Sequence, residues 1–319
     1  MKRVIGPGLL GLGVFLLVVA ALVRFYAAPA LVKIPLDQDV ISVSEATDAS
    51  YFDISSLSVK TGQNIRASRQ IQGDVSASSA DTVVFKAYVT VANADGTKFS
   101  ESTDRVALDR RTAHAVNCCD EEVDGDDTRH TGLSYTFPIG TERKTYQFFD
   151  TAARKAFPME YRATETVKGL TAYKFEQKID EQVIDQQTLP GAILGQPSKL
   201  LLTADMVYSN VRTVWVEPST GAIVKGQEDQ LRVFRAEGGP DTTVLDAEIA
   251  FTDGSVDQAV ARAEDSMAKA KAITVILPLI ALVLGLVFVL IGAIVLIRRS
   301  KQVEDSEVAE ARANESTRI

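Results

Sequence analysis

AITVILPLIALVLGLVFVLIGAIVLI, residues 272–297, is the stretch around which the rest of the chain is organised. It contains no charged side chain, and at about 1.5 Å per residue a helix of this length crosses a hydrocarbon core about 30 Å thick. Arg298, Arg299 and Lys301 follow at once. Because basic residues beside a membrane-spanning segment stay on the cytoplasmic side, the sequence predicts a transmembrane helix followed by a cytoplasmic tail, residues 298–319.

A second apolar run lies near the N-terminus, where VIGPGLLGLGVFLLVVAALV, residues 4–23, follows Lys2 and Arg3. Two interpretations compete: a retained transmembrane anchor over residues 1–26, and a cleaved secretory signal that ends near Ala28-Pro29-Ala30. The run is longer than the apolar part of a signal peptide, about 7–15 residues, which favours the anchor. With the anchor retained, both termini of a plasma-membrane protein lie in the cytoplasm and the main domain is extracytoplasmic.

The exported part of the chain is acidic. Residues 27–271 contain 26 Lys and Arg against 37 Asp and Glu, a net charge of −11. This balance argues against nucleic acid as a partner and against docking on anionic lipid through a general basic patch. The expected partners are the lipid bilayer, an envelope lipid and other envelope proteins.

The exported domain, residues 27–254, shows the alternation of half-buried β-strands. Residues 82–92, TVVFKAYVTVA, place Val83 and Phe85 on one face and Lys86 on the other. Further strands are predicted at residues 133–137, 145–149, 159–165, 170–179, 211–217, 222–229, 231–236 and 243–252, with a surface loop at 188–198. The fold class is therefore mainly β, an antiparallel sandwich or curved open sheet between two transmembrane α-helices.

The sequence period changes to that of a helix at Ser255. Ser255 and Gln258 have the spacing of a capping box, and Val256 and Val260 begin a series of apolar residues at intervals of three and four. We predict a helical stalk over residues 255–271 that continues into the transmembrane helix, residues 272–297.

Cys118 and Cys119 are adjacent and are the only cysteines of the chain. They lie in a segment assigned to an oxidising compartment, so a vicinal disulfide is the favoured interpretation. Intermolecular bridges and a redox site are the alternatives. Zinc binding is less favoured, because only His114 and His130 could complete a ligand set and the cysteines lack the usual spacing.

An acidic stretch follows directly, with six carboxylates around a glycine in residues 120–127. Hard cations bind oxygen ligands, so a weak calcium site formed by Asp120, Glu122, Asp124 and Asp126 is one hypothesis. The spacing does not match an EF-hand loop, which requires a Glu at the twelfth position. A solvated acidic loop without a cofactor is the favoured interpretation.

No catalytic motif of a hydrolase, metalloprotease, P-loop or dinucleotide-binding protein is present, and two histidines leave little choice of general base. The sequence therefore predicts that the protein is not an enzyme. Trp215, Phe175 and Tyr173 are expected to be core residues. The alternative is that they line an apolar groove for a lipid tail.

Three stretches carry a family resemblance: RRTAHAVNCC at residues 110–119, HTGLSYTFP at 130–138 and TERKTYQFFD at 141–150. Together with the two apolar segments, they make nearly the whole chain similar to the actinobacterial PorA-type porin family. The resemblance implies a channel. Strands with an apolar outward face, as a transmembrane barrel requires, are not evident in the sequence, so a channel would need helices from several copies.

Three functions are consistent with these patterns. The leading hypothesis is a membrane-anchored envelope protein whose exported domain binds or passes on an apolar envelope component, or scaffolds partners. The second is a channel-forming oligomer. The third, an enzyme acting on envelope lipid or glycan, requires carboxylates such as Glu142 and Asp150 to converge in a cleft.

Overall fold

The computed structural model describes residues 5–316. These residues form two compact units. A helical unit is built from the two ends of the chain, up to Val32 and from Ala268, and a sheet unit runs from Lys33 to Met267. The predicted class, a mainly antiparallel β fold with two long apolar helices, is confirmed.

The helical elements occupy the two ends of the chain, and two of them are long and apolar enough to cross a membrane. Near the N-terminus they are α1 (Ile5–Leu22), a π-helical turn (Val23–Ala27) and α2 (Ala28–Leu31). After the sheet they are α3 (Asp253–Lys271), a second π-helical turn (Ala272–Ile276) and α4 (Leu277–Ser316).

Glycines bring α1 and α4 into backbone contact. A Cβ atom added to Gly13 would lie 2.6 Å from the backbone nitrogen of Val289, and one added to Gly292 would lie 2.7 Å from that of Leu10. No larger residue fits at either position without moving a helix. In a bilayer, helices associate chiefly through such close packing, because lipid tails are as apolar as leucine side chains.

The sheet unit contains one antiparallel sheet of 12 strands. The strands are β1 (Asp39–Asp53), β2 (Ser58–Gly73), β3 (Thr82–Asn93), β4 (Lys98–Asp109), β5 (Glu122–Val123), β6 (Asp126–Asp127), β7 (Tyr146–Asp150), β8 (Lys155–Val167), β9 (Leu170–Pro190), β10 (Leu201–Val216), β11 (Ile223–Arg235) and β12 (Thr242–Phe251). Their order is β6-β5-β4-β3-β2-β1-β12-β11-β10-β9-β8-β7. Of the two predicted forms, the curved sheet is the one observed.

The two sides of the sheet meet through two segments, one between β4 and β5 and one between β6 and β7. Leu108 in β4 forms a bridge with Ala115, His114 with Leu133, and Leu133 with Phe148 in β7. Backbone pairing is therefore continuous around this part of the sheet. A sheet that closes in this way encloses an interior that side chains fill.

An apolar core occupies this closed part of the sheet. It combines side chains from β3 and β4 with others from β8, β9 and β10, strands that lie far apart in the sheet order. Phe137 is fully buried there, with ring centroids 5.7 Å from Phe148 and 4.8 Å from Phe175. Such contacts exist only because the sheet curls.

The structure corrects several predicted elements. Residues 133–137 do not form a strand, because Tyr135 has a φ of 62° and the segment turns around it. Residues 231–236 are not a separate strand but the end of β11. The long strands β1, β2 and β4 were not predicted, because polar residues interrupt their apolar alternation.

The helix α3 begins earlier than predicted. Thr252 is its N-cap, because Thr252 Oγ1 accepts a hydrogen bond from Ser255 N over 3.2 Å. Ser255 Oγ instead accepts a hydrogen bond from Val43 N over 2.7 Å. The predicted capping residue therefore ties the first turn of the helix to β1.

Candidate functional site

The curved sheet encloses a cavity of about 920 Å³. This volume lies within the range of ligand pockets, about 300–1,000 Å³. Near the hairpin turns that follow β1, β3 and β11, the cavity wall is apolar. It is formed there by Phe52, Val91, Phe99, Met206, Phe234, Val244 and Leu245.

A group of charged side chains lies inside the sheet among these apolar residues. We call it the charged belt and define it as Arg69, Asp150, Arg212, Glu228 and Arg232. Arg212 donates hydrogen bonds to Asp150 Oδ2 over 2.9 Å and, through Nε, to Glu228 Oε1 over 3.0 Å. All members except Asp150 line the cavity directly.

The centre of the charged belt is held by several neutral side chains. Gln177 Oε1 accepts a hydrogen bond from Arg212 over 2.9 Å, and Asn210 donates one to Glu228 over 3.1 Å. Tyr208 donates to Asp150 over 3.0 Å. Buried ions are tolerated in proteins only when they are paired and hydrogen-bonded in this way.

The register between β10 and β11 determines where the charged belt lies. Arg212 in β10 and Glu228 in β11 are directly opposed partners in the antiparallel ladder. Directly opposed residues project to the same face, so the two side chains meet inside the sheet. The tight turn between β10 and β11 fixes this register, because the Glu217 carboxylate accepts hydrogen bonds from the backbone nitrogens of Ser219 and Thr220 over 2.9 and 2.8 Å.

A second polar group lies beside the belt, and we call it the histidine cluster: Asp104, Glu121, His130 and Tyr135. His130 is completely buried, with Nε2 2.8 Å from Asp104 and Nδ1 3.5 Å from Glu121. Tyr135 donates a hydrogen bond to Asp104. Because His130 has no exposed surface, the cluster supports the interior and does not present an imidazole to a substrate.

Burial and charge set the ionisation of these groups. Burial alone would raise the pKa of Glu228, but Arg212 and Arg69 outweigh it and hold the pKa well below its ordinary value. Burial, with the Asp104 carboxylate, raises the pKa of Tyr135 well above 10. Burial also raises the pKa of Tyr208. Both tyrosines therefore stay protonated and act as donors.

The comparison with known families covers both the helices and the sheet. The Porin PorA family profile matches residues 5–294 of the chain. The chain belongs to the Porin PorA family. Porin PorA of Corynebacterium amycolatum is 24% identical, over 73% of this chain and 78% of the relative. Porin PorA of Corynebacterium resistens is 27% identical, over 63% of this chain and 67% of the relative.

Family membership confirms the resemblance that the sequence carried, and it agrees with the two candidate membrane helices in placing this PorA-family protein in the membrane or cell envelope.

The structure shows where the two cysteines singled out from the sequence lie. Cys118 and Cys119 are bonded to each other in the segment between β4 and β5. The carbonyl oxygen of Cys119 accepts a hydrogen bond from Arg105 Nε over 3.0 Å.

The acidic stretch of this PorA-family chain forms the small β5–β6 hairpin at the edge of the sheet. Asp124 accepts a hydrogen bond from Thr103 N over 2.8 Å, and Asp126 pairs with Arg154 at 2.8 Å. Within residues 5–316, no group of three or more His, Cys, Asp or Glu side chains is arranged to hold a metal ion. The weak calcium site stays a prediction. Two of its four carboxylates, those of Asp124 and Asp126, have protein partners.

The three aromatic residues predicted for a groove lie in two places. Phe175 and Tyr173 belong to the core of the closed part, with Phe175 fully buried. Trp215 is opposed to Lys174 in the β9–β10 ladder, so it lies on the face of the sheet opposite to Phe175 and Tyr173. There it packs against α3 in a separate apolar cluster. Its indole nitrogen donates to Glu165 over 2.6 Å. Among the described residues, other side chains line the cavity.

Sequence reasoning missed the charged belt. Its signal was present in residues 225–232, KGQEDQLR, where neither face of the strand is apolar. A strand of this kind in a folded sheet must either face solvent on both sides or line a polar interior. Only the curl of the sheet selects the second possibility for Glu228 and Arg232.

Proposed function

We propose that this protein binds an amphiphilic lipid of the cell envelope inside the curved sheet and is not an enzyme. The observation that carries the proposal is one cavity whose lining combines apolar side chains with the charged belt. An amphiphile matches both parts, because its tail removes apolar wall from water and its head satisfies charged groups.

The size and chemistry of the cavity support a ligand. An internal apolar surface left to water gains nothing for folding, and large apolar patches on soluble domains commonly mark binding sites. Apolar clefts with a few convergent polar groups are the usual form of small-molecule sites. The proposal therefore assigns the cavity, and not the core around Phe175, to the ligand.

Catalysis has less support from the residues present. Glu142 is exposed and pairs with Lys144 at 2.6 Å, whereas Asp150 is buried and pairs with Arg212. The two carboxylates named for an envelope enzyme thus have separate surroundings. His130 is enclosed by carboxylates and has no surface to offer a substrate.

The test compares two substitutions in β3 of the full-length protein. Val91 lines the cavity, whereas Tyr88 is exposed. We expect native mass spectrometry of the wild type in mild detergent to show a reproducible lipid adduct. Val91→Asp should remove it, because a carboxylate in an apolar wall is costly, and Tyr88→Asp should retain it. A wild type without any adduct would overturn the proposal.

Channel formation is the second candidate, and the names of the corynebacterial relatives favour it. The sheet is poorly suited to a bilayer, because β9 carries exposed Glu181, Lys178 and Asp180. Helices from several copies would have to line the pore. Conductance steps in planar bilayers that persist with Val91→Asp, in a protein of discrete oligomeric mass, would place this candidate first.

A further inference from the structure

The charged belt holds unequal numbers of positive and negative groups. Its cations are Arg69, Arg212 and Arg232, and its carboxylates are Asp150 and Glu228. Asp104, another carboxylate of the lining, is bound by His130 and Tyr135. Within the belt itself, three guanidinium groups therefore share two carboxylates.

Arg232 is the guanidinium with the fewest partners. Its Nε is buried and has no hydrogen-bond acceptor, and no carboxylate of the described residues forms an ion pair with it. Its one polar contact is with the ring of Tyr208, whose centroid lies 5.3 Å from the guanidinium carbon. A buried donor without an acceptor is costly, and in native proteins each such group calls for an explanation.

Arg69 is the second incompletely used cation. Its contact with Glu228 is long, at 3.5 Å, whereas Arg212 holds the same carboxylate at 3.0 Å. Arg69 also lines the cavity, as does Arg232. Both guanidinium groups thus face the cavity with hydrogen-bonding capacity that their protein partners leave unused.

We infer that the ligand is an anionic amphiphile, an inference that rests on the proposed function. Its head group, a carboxylate or phosphate, binds Arg232, and Arg69 supplies the second positive charge. The head group supplies the acceptor that Arg232 Nε lacks. Guanidinium groups bind both anions through paired N–H···O contacts, which adds geometry to charge.

The polarity of the cavity sets the direction of the ligand. Arg232 is followed along β11 by Phe234, which with Phe99 and Val91 forms the apolar wall near the hairpin turns. A tail that extends from a head group at Arg232 toward these turns meets apolar side chains.

The experiment measures binding of three sixteen-carbon probes to the full-length protein in detergent: palmitate, hexadecyl phosphate and hexadecanol. We expect both anions to bind about 10- to 100-fold more tightly than hexadecanol, the gain typical of a charge-assisted hydrogen bond. Arg232→Gln should abolish this preference, and Arg232→Lys should retain part of it. Because Arg232 has no ion pair to lose, Arg232→Gln should fold.

Arg66→Gln is the matched control. Arg66 lies on β2 like Arg69, but its side chain is 63% exposed and pairs with Glu45 on the surface. It should keep the full preference for the anions. Loss of the preference in Arg66→Gln to the same extent as in Arg232→Gln would overturn the assignment, because the effect would then be one of overall charge.

The remaining outcomes separate the inference from the proposed function. Equal binding of palmitate and hexadecanol by the wild type would overturn the head-group site and leave lipid binding intact. Failure of all three probes to bind would overturn both. Inorganic phosphate that displaces palmitate at equal concentration would overturn the amphiphile, because the anion alone would then occupy the site.

Discussion

Arg212 and Glu228 are opposed partners of the β10–β11 ladder, and Arg212 Nε donates to the Glu228 carboxylate over 3.0 Å inside the sheet. The same guanidinium binds Asp150 over 2.9 Å. These contacts of Arg212 join three strands, β7, β10 and β11, beside the cavity. Its strength therefore affects both the stability of the sheet and the shape of the cavity.

Replacing Glu228 with Gln should make the sheet less stable and change how its stability depends on pH. Removal of one partner of a buried ion pair costs about 3 kcal/mol. The pKa of Glu228 is 4.5 in the unfolded chain and well below that in the folded protein. Between these values the unfolded state binds more protons, so the free energy of unfolding rises with pH.

The stabilisation from Glu228 is accordingly complete above about pH 5 and is lost as the pH falls toward its folded pKa. In Glu228→Gln, the free energy of unfolding should fall less steeply between pH 5 and pH 3 than in the wild type. The fluorescence of Trp215, the only tryptophan, reports unfolding in urea. Exposed Glu101 is the control, because Glu101→Gln removes only a surface pair with Lys98. An unchanged pH slope in Glu228→Gln would contradict the prediction.

The helix pair gives a second prediction. Gly13→Leu should separate α1 from α4, because even a Cβ atom at position 13 lies 2.6 Å from the backbone of Val289. Gly8→Leu is the control on the same helix, since nothing lies within 4 Å of a Cβ atom there. Cross-linking between cysteines introduced at facing positions of α1 and α4 should fall several-fold in Gly13→Leu and be unchanged in Gly8→Leu.

This pairing requires that the N-terminal segment is retained. Intact mass spectrometry of the protein purified from membranes should then give the full-chain mass of 34.5 kDa. A mass that lacks the residues up to and including Ala30 would show cleavage of a secretory signal. It would also remove α1 from the mature protein, and with it the reason for glycine at position 292 of α4.

The adjacent cysteines give a third prediction. Iodoacetamide should label Cys118 and Cys119 only after reduction, as expected for a vicinal disulfide. The double variant with Ser at both positions should lose only about 1 kcal/mol of stability, because a bond between neighbouring residues constrains the unfolded chain little. Labelling of both thiols without reductant, in protein isolated under oxidising conditions, would contradict the pairing.

Several elements could be predicted from sequence because their signal is local. The strands at residues 82–92 and 243–252 were placed within a residue or two, since alternating apolar residues mark a half-buried strand wherever it pairs. The strand at residues 170–179 was placed but is longer, and continues to Pro190. Its outer half is polar and carries no alternation.

The candidate site could not be predicted because its members are distant in the chain. Arg69, Asp150 and Glu228 come from β2, β7 and β11. Each is an ordinary charged residue in its own strand, and nothing in the local sequence separates it from a solvated one. They come together only when the sheet curls and the segments around Ala115 and Leu133 join β4 to β7.

The sequence by itself determined that the chain has two apolar helices at its ends and an antiparallel β region between them. The length and period of an apolar pattern are properties of consecutive residues, so they can be read without knowledge of the fold. Only the tertiary structure decided that Arg212, Glu228 and Arg232 face a cavity and that Trp215 does not. The physical reason is that strand alternation fixes which side chains share a face, whereas the curvature and closure of the whole sheet decide which face becomes the interior.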